Sequence, residues 1–277
     1  MLRIATWNVN SLRVRLETLG PWLTQDGPDV VCLQETKVTD DLFPMQAVAD
    51  LGYQAVFTGQ KTYNGVALLS RRPITDVVLA LPGAPLEDEK RFIAATIAGV
   101  RVINVYVPNG QAVGAPKFFY KLAWLQALQT FVATAYTPED VVLLCGDFNI
   151  APEARDVYDA AQAEGGILFH PDERAAFARL LAWGLRDTLR LHRQEGGLYS
   201  WWDYRALAFQ RNLGFRIDHI LVTPPLAARC TTVTLERELR KLPKPSDHIP
   251  VVATFSENLS HTDSHRSGTF QPVLPPG

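Results

Sequence analysis

Short apolar runs of strand length recur along the whole chain, at residues 30–33, 66–69, 102–107, 141–144, 217–222 and 249–255. Most are rich in Val, Ile and Leu and bounded by polar or turn residues, the pattern of strands buried in a sheet. None approaches the ~20 consecutive apolar residues that a bilayer span requires. Helical periodicity appears between them. Leu12, Leu16, Leu19 and Leu23 share one face, as do Phe118, Leu122, Leu125 and Val132. A third pattern, with Phe177, Leu180 and Leu181, follows Pro171 at a helix start. Many strands with few helices predict sheets packed face to face with helices outside. No Gly/Ser-rich hinge divides residues 1–255, so they are expected to form a single domain. Residues 256–277, rich in Ser, Thr, His, Pro and Gly, are expected to be a poorly ordered tail.

The 27 Lys and Arg residues are balanced by 29 Asp and Glu, a formal net charge of −2. The totals therefore give no support to purely electrostatic binding of bulk nucleic acid or an anionic membrane, although a local basic face remains compatible with them. Cys32, Cys145 and Cys230 are far apart and form no Cys-x-x-Cys pair. That argues against a disulfide framework and against a structural zinc site. The first residues lack the basic and apolar regions of a secretory leader, and a cytoplasmic protein is the expectation.

The ends of the strands carry the chemistry. Asp29-Val-Val-Cys-Leu runs into Gln34 and Glu35, and Asp140-Val-Val-Leu-Leu-Cys runs into Gly146-Asp147-Phe148-Asn149. Two similar strands each deliver a carboxylate, a hint of internal duplication. A lone strand-end acid is ordinarily just solvated, but these have company. Extended geometry puts Asp147 and Asn149 on one face, and Thr6, Asn8 and Asn10 on one face of the first strand. Strand interiors are depleted in Asn. Asp218 lies inside a β-rich run, where a charge is costly unless it has a partner. Asp247 and His248 precede the last run, and adjacent extended residues face opposite ways, so another carboxylate would have to orient His248. Oxygen donors without Cys/His clustering favour Mg2+ or Mn2+ over zinc. A cation with Asp, Asn and His donors suits attack of water on a phosphate ester. No phosphate-cradling P-loop or dinucleotide loop is present. His261 and His265 are spaced four apart in the tail, where a polar segment without structure is the expected reading.

Taken together, Thr6-Trp-Asn-Val-Asn10, Leu33-Gln-Glu-Thr-Lys37, Asn64-Gly-Val-Ala-Leu68, Tyr106-Val-Pro-Asn-Gly110, Gly146-Asp-Phe-Asn-Ile150, Trp201-Trp202, Arg216-Ile-Asp-His219 and Ser246-Asp-His248 resemble the exonuclease III family of apurinic/apyrimidinic endonucleases. The resemblance implies a four-layer α/β sandwich, two packed mixed β-sheets flanked by helices. It implies Glu35 as the main metal ligand, with Asn8, Asn10 and Asp247 nearby, and Mg2+ (or Mn2+) as cofactor. Asp147 and Asn149 would position and deprotonate the attacking water or stabilise the transition state. Tyr106 would hydrogen-bond the scissile phosphate, and His248, oriented by Asp218, would contact a phosphate oxygen. Asp147 and His248 both remain candidate proton acceptors. Trp201, Phe215 and Ile217 would enclose an extruded abasic sugar, with Lys37 and Arg91 as further substrate contacts. The implied partner of this monomer is double-stranded DNA carrying abasic sites or blocked 3′ ends, with no membrane.

Residues 201–250 contain Arg205, Arg211, Arg216, Arg229, Arg237, Arg240, Lys241 and Lys244 against five acids. They are expected to form a phosphate-binding face, extended by Lys61, Arg71, Arg91, Lys117 and Lys121. The rival readings are another phosphoesterase of the same superfamily and a non-catalytic nucleic-acid-binding relative. Residues 164–173 are expected to influence the balance of endonuclease and exonuclease activity.

Overall fold

The computed structural model describes residues 1–25, 27–86 and 88–257, so residues 258–277, with His261 and His265, lie outside the described residues. Two six-stranded sheets dominate. The first contains β1 (Leu2–Asn8), β2 (Val30–Gln34), β3 (Gln54–Thr58), β4 (Val66–Ser70), β13 (Cys230–Leu235) and β14 (Val251–Phe255), in the order β13-β14-β1-β2-β4-β3. The second contains β5 (Ile74–Val78), β6 (Phe92–Ile97), β7 (Val100–Tyr106), β8 (Val142–Asp147), β9 (Arg186–Asp187) and β12 (Asp218–Val222), in the order β5-β6-β7-β8-β12-β9. A small ribbon pairs β10 (Trp201–Trp202) with β11 (Gly214–Phe215).

The sheets share one plan. In each, the two central strands are parallel, β1 with β2 and β7 with β8, and every other pairing is antiparallel. Parallel neighbours need a crossover. It is α1 (Leu12–Thr24) in the first sheet and α3 (Pro116–Ala135) in the second. The duplication hinted at by the two strand-end carboxylates is therefore a matching topology.

Four layers follow from the side chains. Ile4, Val30, Cys32, Leu68 and Ala253 of the first sheet meet Ile93, Val102, Leu143, Cys145 and Ile220 of the second in the central core. The alternate residues of β1 and β2, Ala5, Trp7, Val31 and Leu33, face Leu12, Leu19 and Leu23 of α1 and Val48 of α2 (Met45–Asp50). On the far side, Ile103, Val105 and Leu144 pack against Trp124, Leu125 and Leu128 of α3 and Phe177 and Leu180 of α5 (Pro171–Trp183), which follows the short α4 (Ala160–Ala163). This is the four-layer α/β sandwich expected.

Two details differ from the sequence reading. In α3 the buried arc runs through Phe118, Lys121, Trp124, Leu125, Leu128 and Val132, so that Lys121 is buried while Leu122 is only half-buried. At the end of the chain, Ser256 donates from its N–H to the Arg229 carbonyl, and Glu257 pairs with the Met1 amino group and Arg72. The first two residues of the expected tail are thus tied to the body.

Candidate active site

One edge of the sandwich collects the polar residues. Asn8 ends β1 and Glu35 follows β2, while Tyr106 ends β7, Asp147 ends β8 and Asp218 begins β12. Register places Asp147 opposite both Tyr106 and Asp218. Asp247 and His248 reach the same edge just before β14, where Trp201 and His248 form an isolated bridge. The site therefore straddles the two sheets.

The backbone is bent sharply where the strands end. Asn10, Glu35, Lys37 and Asn149 all adopt left-handed conformations, with φ of 43°, 52°, 51° and 50°. Such conformations cost non-glycine residues on the order of 1–3 kcal/mol each and gather where function requires a particular side-chain direction. Gly146 is needed for a different reason. A Cβ there would lie 1.9 Å from the Val105 carbonyl oxygen.

Asn8 is the hub. Its Nδ2 donates to Glu35 Oε1 and to Asp147 Oδ2, both at 2.9 Å, while its Oδ1 accepts the Asn10 N–H at 3.0 Å. Asn10 Nδ2 donates to Asp247 Oδ1 at 2.9 Å, and the other Asp247 oxygen accepts from Trp201 Nε1 at 2.9 Å. Lys37 turns inward, its Nζ lying 2.8 Å from Glu35 Oε2 and 2.6 Å from Asn10 Oδ1. Burial works to raise the pKa of Glu35, but the Lys37 charge and the Asn8 hydrogen bond outweigh it and hold the carboxyl ionised below its usual range. Burial likewise opposes ionisation of Asp247. The His248 charge and the Trp201 and Asn10 donors overcome it.

On the second sheet, Asp147 Oδ1 accepts the Asn149 N–H at 2.8 Å, and Oδ2 lies 3.8 Å from His248 Nε2. His248 Nδ1 lies 2.8 Å from Asp218 Oδ2. The Asp218 backbone N–H and that of Ile217 both donate to Ser200 Oγ at 3.0 Å. The orienting carboxylate that His248 requires is thus Asp218, from the other sheet. Burial raises the Asp147 carboxyl, with the Asp218 charge adding and His248 opposing, to about 7. Burial works to lower the pKa of the His248 imidazole, yet Asp218, Asp147 and Asp247 together push it up to about 10. The Tyr106 phenol is raised by burial and by the facing Glu35 and Asp147 charges, so it stays a neutral donor.

Two acidic groupings face a cation differently. Asp147, Asp218 and His248 bring ligand atoms within 4.8 Å of one another, close enough to hold a metal ion, and Asp218 Oδ1 is buried without a hydrogen-bond partner. With its imidazole pushed up by three carboxylates, His248 would have to release a proton before that group could bind a cation. Glu35 and Asp247, kept ionised and flanked by amides, could supply the oxygen donors that hard divalent cations take.

Trp201 and Phe215 meet edge to face at 5.8 Å and pack with the buried Ile217 against Val157 and Phe169. Arg91 lies over the Tyr106 ring at 4.8 Å, donates to the Tyr106 carbonyl at 3.3 Å and pairs with Glu89. The basic face is smaller than expected. Arg216 is buried between Asp156 and Asp187 at 2.6 and 2.7 Å, because its run sits in the core. Lys121 is buried in an ion pair with Glu173. Arg237 and Arg240 stack on Trp202, Phe209 and Tyr204. Arg205, Arg211, Lys241, Lys244, Lys61 and Lys117 are exposed.

Several contacts within the site escaped the sequence. Asn109 donates from Nδ2 to Asn149 Oδ1 at 3.1 Å, and Lys121 Nζ donates to the Asn149 and Asn109 carbonyls at 2.7 and 3.2 Å. Beneath Glu35, Gln34 Nε2 donates to Asn104 Oδ1 at 2.7 Å, and Asn104 Nδ2 donates to the Leu33 and Ala67 carbonyls at 3.0 Å each. Asn109 stood in a motif already singled out. Gln34 stood in another, Lys121 belonged to the expected basic face, and nothing local marked Asn104.

Comparison with known proteins agrees with this fold. The sequence matches the endonuclease/exonuclease/phosphatase family over residues 5–248. An exodeoxyribonuclease III of Haemophilus influenzae is 35% identical over 266 residues, covering 92% of this chain and all of the relative. A 3′ phosphatase from Neisseria, solved with a product DNA hairpin, superposes with a TM-score of 0.90 at 47% identity, covering 92% of this chain and 100% of its own. An AP endonuclease from Archaeoglobus fulgidus gives a TM-score of 0.87 at 42% identity, over 92% and 99% of the two chains. With the shared layers, the strand-end acids and a match spanning most of its length, this chain belongs to the endonuclease/exonuclease/phosphatase family.

Proposed function

We propose that this chain is a DNA-repair nuclease that hydrolyses the phosphodiester 5′ to an abasic site in duplex DNA, leaving a 3′-hydroxyl. Trimming of blocked 3′ ends, as 3′-5′ exonuclease or phosphatase, belongs to the same site. The observation that carries the reading is Asp147: a buried carboxyl titrating at about 7, held by Asn8 and Asn149 and 3.8 Å from a charged His248. Mg2+ (or Mn2+) held by Glu35 and Asp247, with Asn8 and Asn10 beside them, would stabilise negative charge on the phosphate.

The residues divide the work. Asp147 takes a proton from water as its oxygen attacks phosphorus, since a group titrating near the working pH is the effective base. His248 already carries its proton. It therefore serves as a fixed positive donor to a phosphate oxygen rather than as the base, and Asp218 aims it. The Tyr106 phenol binds another phosphate oxygen, while Asn149, its Nδ2 donating to the Val107 carbonyl and to Asp147, holds the base in place. The bond from phosphorus to the 3′-oxygen breaks, and that oxygen takes a proton from solvent to become the new 3′-hydroxyl. Trp201, Phe215 and Ile217 receive the abasic sugar, which no base pairing or stacking holds in the duplex. All these groups come from one chain, which supports action as a monomer. Three free cysteines, two of them buried, suit a reducing cytoplasm.

The test is a duplex oligonucleotide with one central abasic analogue, beside an undamaged control, with Mg2+ or with EDTA. A single metal-dependent nick 5′ to the lesion is expected. Hydrolysis of inositol phosphates or ordinary diesters without that nick would instead place the chain with a sister phosphoesterase.

A further inference from the structure

The second sheet lays out its functional residues in strand order along the edge: Arg91 just before β6, Tyr106 on β7, Asp147 on β8 and Asp218 on β12. Adjacent strands are about 4.8 Å apart, so this row spans about 14 Å. The Trp201, Phe215 and Ile217 recess lies at the Asp218 end, Ile217 being the residue before β12. The Arg91 end opens into a groove of about 810 Å³. Its inner wall is Tyr106, Arg91 and Asn109, so it is continuous with the phosphate-binding residues.

The lining is unusual for plain surface. Tyr63 and Phe119 are 68% and 60% exposed and both face this groove, beside Tyr120. Single exposed aromatics are common, but two in one groove that opens on a reaction centre point to a ligand. Gln60, Asn64 and Gln111 add neutral amides, and the exposed Lys117 adds a cation. Among the described lining residues the one acid, Glu89, is committed to Arg91 and Tyr120. Aromatic faces for stacking, amides for base edges and a cation for phosphate make up the chemistry that holds an unpaired nucleotide.

We infer that this groove is a second nucleotide recess, which takes the nucleotide on the 5′ side of the scissile phosphate with its base unstacked against Tyr63 or Phe119. The inference rests on the nuclease reading above. It adds a substrate preference to that reading. A strand whose 5′-flanking nucleotide is unpaired saves the cost of opening that pair, so it should be cut faster than a fully paired one.

Two abasic-analogue duplexes test this, identical except that the nucleotide 5′ to the lesion is paired in one and mismatched in the other. The wild-type protein should favour the mismatched duplex about fivefold or more in kcat/KM. Phe119→Ala and Tyr63→Ala should bring the ratio toward one, whereas Leu242→Ala, an exposed residue outside the groove lining, should keep it. With 2-aminopurine at the flanking position and EDTA present, wild-type binding should quench its fluorescence more than either aromatic variant does. Equal cutting of both duplexes by the wild type, or a ratio unchanged in both aromatic variants, overturns the recess while leaving the nuclease reading intact. No nick in either duplex overturns the nuclease reading, and the recess with it.

Discussion

His248 and Asp218 stand on different sheets, yet their side chains meet at 2.8 Å in a buried contact. That contact sets the working pH range. His248 is pushed up to about 10, so the charge proposed to contact phosphate is complete at neutral pH and is lost as pH rises through about 10. Asp147, raised to about 7, must be ionised, so activity falls as pH drops through that value. A divalent cation bound nearby would hold Asp147 ionised further down, which would place the acid limb at or below about pH 7. The two limbs belong to a coupled group. Asp218→Asn should lower kcat about 100-fold and move the alkaline limb of the pH–rate profile down. An alkaline limb unmoved by this substitution would mean that Asp218 does not hold the His248 proton.

Metal dependence separates the two acidic groupings. Glu35→Ala should weaken activity in a way that excess Mg2+ partly restores, because a ligand is lost but the others remain. His248→Ala should show no such rescue across the same Mg2+ titration. Equal rescue of both variants would move the cation to the Asp147, Asp218 and His248 group.

Lys121 and Glu173 allow stability to be separated from catalysis. Neither side chain has any solvent exposure. Lys121→Met strands the Glu173 charge and should cost about 3–5 kcal/mol in urea unfolding. The pair replacement Lys121→Met/Glu173→Leu should regain most of that loss, since an apolar substitute for a buried ion pair is often neutral. The nicking rate should nevertheless stay low in the double variant, because the Asn149 and Asn109 carbonyls have lost their shared donor. Full recovery of kcat would make the lysine structural only.

His219 predicts how the fold responds to acid. Burial first, then the neighbouring Arg216 charge, lowers its imidazole from 6.5 to about 4. Nδ1 faces Arg216 at 3.0 Å and Nε2 faces the Ile150 carbonyl at 2.8 Å, an arrangement suited to the neutral ring. Between pH 6.5 and about 4 the unfolded chain binds a proton that the native state does not. Stability should therefore fall by about 3 kcal/mol as pH drops across that window, and His219 should contribute no further loss below it. His219→Gln should flatten this part of a stability-versus-pH curve.

The central strands were legible because they are buried on both faces and read as continuous apolar runs, as in β2, β4, β8 and β12. The strands without such a signal are mostly lateral. β3, β5 and β13 are edge strands, mostly half-buried or exposed, and their composition carries little contrast. β6, with Ala94 and Ala95 at its centre, is buried but small. Glu35, Asp147 and Asp218 stood out as charges at the ends of such runs. Lys121 did not, because a lysine among apolar helix positions ordinarily points outward. Only the distant Glu173 and two loop carbonyls draw it in. The Gln34–Asn104 link between sheets is a contact across 70 positions, invisible to any local pattern.

Half of the site hangs from each sheet, so the distance from Glu35 to Asp147 is set by the thickness of the oily layer between them. Cys32 lies three residues before Glu35, Cys145 two before Asp147, and both point into that layer. They are small side chains, and they act as spacers at the place where the two halves are gauged. A bulkier residue at either position would leave every catalytic group present and correctly bonded to its own strand, yet it would jack the jaws apart.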